Sequence, residues 1–118
     1  MRILVTGGRD YSNQEMVNKI LSKLNEFRGI EMIIEGGARS ADSLARNWTR
    51  ENSIPVKTVY ADWNRYGKKA GPIRNQKMLD EEQPDYVLVF PGGRGTQHMK
   101  SIAQKVGVKI MEVLGKNY

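Results

Sequence analysis

Five short β-forming runs alternate with four helical patterns along this chain, and no other feature limits its fold as strongly. Residues 2–6, 31–35, 56–60, 86–90 and 108–113 are rich in Val, Ile, Leu and Tyr. The run 86–90 is the most apolar and is expected to lie centrally. Between the runs, Met16, Val17, Ile20, Leu21, Leu24 and Phe27 recur at helical spacing, and Ser12 with Glu15 reads as a capping box. Ala41, Leu44, Ala45 and Trp48 share one face of a second helix. A third spans about 72–82, with Pro72 in its first turn and a thin apolar face of Ile73, Met78 and Leu79. A fourth carries Met99, Ile102, Ala103 and Val106 and stops at Gly107. Strict β-α alternation implies a parallel sheet with right-handed crossovers and helices on both faces. The expected fold is one α/β, Rossmann-like three-layer domain over residues 1–118, with a five-stranded parallel sheet in the order 3-2-1-4-5.

Composition narrows the chemistry. The chain has 118 residues, no cysteine and one histidine. Thiol catalysis, disulfides and Cys-ligated zinc are therefore excluded, and a multi-histidine metal centre cannot be built. No metal site and no cofactor are expected. No apolar run approaches the ~20 residues that span a bilayer, and the chain opens directly on a strand-like run. A cytoplasmic protein without a membrane partner is expected.

In an open parallel sheet, ligands bind beyond the carboxyl ends of the strands. Nine of the twelve glycines (7, 8, 36, 37, 67, 71, 92, 93 and 95) fall in strand-to-helix loops, on that edge. Only Gly29 and Gly107 fall in the opposite loops. Glycine turns entering helices present free N–H groups and the positive end of the helix dipole, which suits phosphate. Gly7, Gly8, Gly36, Gly37, Gly92, Gly93, Gly95 and Thr96 are thus candidates to cradle an anion. Arg9, Arg39, Arg74 and Arg94 stand beside the turns, where bidentate contacts to an anion are available.

The formal net charge of +6 is concentrated. Residues 62–77 hold five basic side chains (Arg65, Lys68, Lys69, Arg74, Lys77) against Asp62. The connection over 61–71 is longer than the usual two to six residues and is expected to be a lid or binding loop. Trp63 and Tyr66 within it could stack on a base. Asp42, at the start of the second helix, suits a helix anchor or a ribose contact.

These loops also carry a family resemblance. Gly36-Gly37-Ala38-Arg39-Ser40-Ala41-Asp42, Ala61-Asp62-Trp63, Ala70-Gly71-Pro72-Ile73-Arg74-Asn75 and Phe90-Pro91-Gly92-Gly93-Arg94-Gly95-Thr96 resemble the YspA (cpYpsA-related) branch of the SLOG superfamily. One departure is Ser40, where the pattern usually has a third glycine. The resemblance implies a Rossmann-like fold and binding of nucleotides or nucleotide-derived ligands, in a family common in bacteria and phages. Its relatives include the LOG phosphoribohydrolases and the Rossmann-like domain of DprA. Against the LOG motifs, Arg74 matches an arginine, and Asn75 replaces a lysine. The phosphate-cradling Pro91-Gly92-Gly93-Arg94-Gly95-Thr96 matches in full, and the catalytic glutamate falls on Met99, which cannot transfer a proton.

Three functions follow as expectations. The first is binding of a nucleotide-like small molecule by a sensor, carrier or sequestering protein. There Arg74, Asn75 and Arg94 would assist the glycine turns, and Trp63, Tyr66 or His98 would contact base or ribose. The second is a LOG-like nucleoside 5′-monophosphate phosphoribohydrolase or related nucleotide hydrolase, with Arg74 and His98 as catalytic candidates. The third is an accessory DNA-binding or DNA-processing protein, ranked last because the charge gathers at glycine-rich loops. A homodimer or higher homo-oligomer would cover edge strands.

Overall fold

Alternate residues of each inner strand point into two different apolar layers, and these layers hold the domain together. The computed structural model describes residues 1–114. It runs β1 (Arg2–Thr6), α1 (Gln14–Arg28), β2 (Met32–Glu35), α2 (Ala41–Asn52), β3 (Val56–Thr58) and α3 (Trp63–Tyr66). A 3-10 turn (Gly67–Lys69), α4 (Ala70–Glu82), β4 (Tyr86–Val89), α5 (Arg94–Val106) and β5 (Lys109–Glu112) follow. All pairings are parallel, in the order β3-β2-β1-β4-β5. Leu4 lies opposite Ile34 on one side and Val87 on the other. The fold class and strand order are those read from the sequence. The apolar β4 is internal, although β1 takes the middle.

On one face, Ile3, Val5, Ile33 and Leu88 pack with Val17 and Leu21 of α1 and Ala41, Ala45 and Trp48 of α2. On the other, Leu4, Ile34, Val87 and Val89 pack with Met78 and Leu79 of α4 and Met99, Ile102 and Ala103 of α5. Fully burying each such large side chain contributes about 1.5–3 kcal/mol. Trp48 is buried and its indole N–H donates to Ser22 Oγ at 3.0 Å, tying α2 to α1. Phe27 and Val106 fall off the packed faces at the C-terminal ends of their helices and are exposed. Ile30, beyond the Gly29 turn, closes the core at the end of α1 instead.

Two local expectations shift. The cap of α1 is Asn13, whose Oδ1 accepts from Met16 N–H at 3.0 Å, one residue later than the Ser12–Glu15 box. Asn serves there as well as Ser does. The connection over 61–71 is largely helical rather than an open loop. Asp62 caps α3 by accepting from Arg65 N–H, and the 3-10 turn runs directly into α4. Pro72 is the third residue of α4, still in the first turn, where the N–H that proline lacks would have had no intrahelical partner.

Because β1 lies between β2 and β4, the chain leaves the carboxyl ends of β1 and β4 in diverging directions, which opens a crevice between them. Phe90 N–H donates to Thr6 O and Gly8 N–H to Pro91 O, both at 2.9 Å, so the two loops are stitched together. A Cβ on Gly8 would lie 2.9 Å from Gly92 Cα, and one on Gly92 would strike Gly8 N and Thr96 Oγ1. This backbone-to-backbone approach requires both glycines.

Ser40 enters α2 at φ 66° and ψ −111°, a conformation that favours glycine. Its hydroxyl donates to Arg9 O, bridging the loops after β1 and β2. Strain of this kind costs on the order of 1–3 kcal/mol. Ser40→Gly is therefore expected to raise stability by about 1 kcal/mol despite losing that bond. Ser40→Ala, which keeps the strain and loses the bond, is expected to lower it. Urea unfolding of both variants checks this, and a Ser40→Gly protein less stable than the parent would contradict the strain.

Candidate functional site

The loops at the carboxyl edge of the sheet surround a cavity of about 1130 Å³. Gly7, Gly8, Arg9, Gly36, Gly37, Arg39, Asp42, Trp63, Arg74, Asn75, Gly92, Gly93, Arg94, Gly95, Thr96 and His98 all line it. The fold thus assembles residues from four separate loops and helices at one place. Tyr66 is the exception among the candidates. It lies outside the cavity, with the Arg65 guanidinium 5.2 Å from its ring centroid. The short α3 helix places Trp63 at the cavity and turns Tyr66 away.

The loop after β2 is held by its own acids. Glu35 is fully buried; its Oε1 accepts from Gly37 N–H at 2.7 Å, and its Oε2 accepts from the Thr58 hydroxyl. Arg46 brings Nε to 3.6 Å from Glu35 Oε1. Asp42 is also buried, and its Oδ2 accepts from Gly36 and Ala38 N–H, each at 3.1 Å. Three amides that would have cradled a phosphate therefore already hold carboxylates. Gly36 and Gly37 line the cavity, but their N–H groups are directed to these internal acids, and Asp42 serves as the loop's anchor. Packing also explains the missing side chains. A Cβ on Gly36 would strike the Arg74 guanidinium, and one on Gly37 would strike the Tyr60 ring.

The turn into α5 differs. Gly93 caps the helix with no side-chain hydrogen bond, and Arg94 opens it, exposed. Gly95, the second helical residue, has ordinary backbone angles, and a Cβ there would meet nothing within 4 Å. The same holds for Gly93. Arg9, also exposed, stands on the adjoining loop after β1.

A chain of hydrogen bonds crosses the cavity from the β2 loop to α5. Arg74 Nη1 donates to Gly36 O at 2.6 Å, and Arg74 Nε donates to Asn75 Oδ1 at 2.9 Å. Asn75 Nδ2 reaches Gly95 O at 3.3 Å and His98 Nδ1 at 3.2 Å. Burial pulls the Arg74 guanidinium below its ordinary value, while the charges of Asp42 and Glu35 pull it back. It remains a cation.

Tyr60 and Lys68 also line the cavity. Tyr60 is 69 % exposed and closes over Gly37. Its position just past β3, at the ligand-binding end of a parallel strand, was the signal available in the sequence. Met99 is fully buried in the α4–α5 core layer, so no ionisable group stands at that position. Among the described residues, no group of three or more His, Asp or Glu side chains could hold a metal ion. No helix among them is long and apolar enough to cross a membrane.

The family model described as YspA, cpYpsA-related SLOG family matches residues 1–66. The chain is similar to the Gene 61 protein of Mycobacterium phage D29, at 35 % identity over 118 aligned positions, covering 93 % of this chain and 94 % of that protein.

The buried acids also fix a pH response. Burial, and then the charge of Glu35, raise the Asp42 carboxyl to about 6 against the opposing pull of the Ala38 N–H, Arg74 and the Gly36 N–H. Between about pH 4 and 6 the unfolded chain ionises this group while the folded chain keeps its proton, so stability falls as pH rises. The loss is complete above pH 6 and amounts to roughly 3 kcal/mol. Asp42→Asn retains an oxygen able to accept both N–H bonds and is expected to flatten that slope. Urea midpoints measured from pH 4 to 7 check this; an unchanged slope in the variant would contradict the assignment.

Proposed function

Because the chain belongs to the YspA, cpYpsA-related SLOG family, we propose that it binds a nucleotide or nucleotide-derived phosphorylated small molecule at the carboxyl edge of its sheet. It acts as a sensor, carrier or sequestering protein. The observation that carries this reading is Gly95. Glycine in a helix interior is about 0.5–1 kcal/mol less favourable than alanine, and in the first turn it carries part of that cost. At Gly95 the fold supplies no reason to accept that penalty, because a side chain there would meet open space. Its reason lies outside the fold, in a ligand that approaches the backbone.

The phosphate sits on the amides of the Gly93–Thr96 turn, favoured by the dipole of α5 and by Arg94 and Arg9. Tyr60 and Trp63, exposed aromatics on the cavity wall, offer the base a stacking surface. Met99 weighs against hydrolysis by a glutamate at that position, since a buried thioether neither donates nor accepts a proton. The concentration of basic groups around a cavity favours a small anion over a nucleic-acid backbone.

Thermal-shift measurement against nucleoside mono-, di- and cyclic phosphates tests the proposal. A bound ligand at a hundredfold excess over Kd stabilises by about 2.7 kcal/mol. Gly95→Ala is expected to fold, to gain up to about 0.5 kcal/mol of intrinsic stability, and to lose the ligand-induced shift. A variant that responds to ligand as the parent does would remove the reason given for this glycine.

A further inference from the structure

The hydrogen-bond chain through Asn75 fixes which nitrogen of His98 carries the proton. Arg74 Nε can only donate, so the Asn75 atom facing it at 2.9 Å is the amide oxygen. The carbonyl of Gly95 can only accept, so the atom facing it at 3.3 Å is the amide nitrogen. Two independent partners thus set the same orientation for the Asn75 amide. Its second N–H then points to His98 Nδ1 at 3.2 Å, which must accept. In the neutral ring the proton lies on Nε2. Asn75 is buried and uses its oxygen and both N–H groups in this arrangement, while His98 lines the cavity.

We infer that His98 is a ligand-facing Nε2–H donor, held in that tautomer by Asn75 as a positioning residue, and that it selects a nucleoside 5′-phosphate by binding an oxygen of its ribose. This rests on the binding role proposed above. His98 follows Arg94 by four residues, one turn of α5 or about 6 Å along the helix. That spacing suits a donor reaching the sugar attached to a phosphate seated on the first turn. A histidine held as a donor at Nε2 has no lone pair there with which to activate water. The arrangement therefore serves recognition rather than general-base hydrolysis.

The single histidine of the chain makes the test direct. A long-range proton–nitrogen correlation spectrum of the ligand-free protein at pH 8.5 separates protonated from unprotonated ring nitrogens. Nδ1 is expected to be unprotonated and Nε2 protonated; the reverse in the parent protein overturns the inference without any variant. Asn75→Asp, whose carboxylate only accepts, is expected to invert the tautomer, whereas a passive structural role for Asn75 would leave it unchanged. On titration with adenosine 5′-monophosphate the Nε2 resonance is expected to move, and with inorganic phosphate it is expected to stay. His98→Phe is expected to weaken the nucleotide about five- to tenfold, the loss of one hydrogen bond. A nucleotide that stabilises the protein yet leaves Nε2 unmoved overturns the ribose contact and leaves the binding role standing, whereas a response to inorganic phosphate alone overturns both. Failure of both probes to stabilise the protein overturns the binding role and the contact, whichever tautomer is found.

Discussion

Removing Glu35 and Asp42 from water side by side would destabilise the domain by several kcal/mol if nothing satisfied them. The loop that follows β2 answers that demand. Its three amides, from Gly36, Gly37 and Ala38, donate to the two carboxylates, and the Thr58 hydroxyl and Arg46 join from β3 and α2. The same negative charge draws in Arg74 from α4, which bonds Gly36 O and hands an oriented amide, Asn75, to His98 on α5. The cavity floor is therefore one connected polar network anchored on two buried acids. With both acids hydrogen-bonded, and only Arg46 Nε left to a 3.6 Å ion pair, such a network favours a single arrangement of the groups it joins.

The two glycine-rich entrances to α2 and α5 illustrate how one local motif can reach two ends. At α2 the protein supplies its own anion, and the entering residue, Ser40, adopts backbone angles that favour glycine. At α5 no side chain caps the helix, and Gly93 and Gly95 have open space where a Cβ would stand. The neighbouring Gly8 and Gly92 are required for a different reason, the contact between their backbones. Position Met99, one turn further, faces the core rather than the cavity, so this helix offers dipole, amides and His98 on one side and apolar packing on the other.

Much of this was legible in the sequence, because its main signals are periodic or positional. Alternating β and α patterns give the layers and, as a Rossmann-like fold, the strand order; runs such as Ile3-Leu4-Val5 are apolar throughout because both faces of the strand are buried. The location of glycine and arginine after the strands gives the cavity edge. What the sequence could not assign was the reason for each glycine. Gly36 and Gly95 look alike in a string of letters, but one is packed against Arg74 and the other is open. Tyr66 and Trp63 looked equivalent in the basic stretch until the short helix α3 placed only Trp63 on the cavity. Tyr60 was hidden by its reading as the last residue of a strand. The Asn75–His98 contact joins residues 23 apart in sequence and depends on how α4 packs against α5.

We propose that an anion binds at the entrance to α5 because the entrance to α2 is already occupied by Asp42 and Glu35. Backbone amide resonances of both turns, followed by NMR while adenosine 5′-monophosphate is added, measure this directly. Shifts concentrated at Gly93, Arg94, Gly95 and Thr96, with Gly36, Gly37 and Ala38 nearly still, are the predicted result. Shifts centred on Gly36, Gly37 and Ala38 instead would mean that the ligand displaces the internal carboxylates, and would contradict the account.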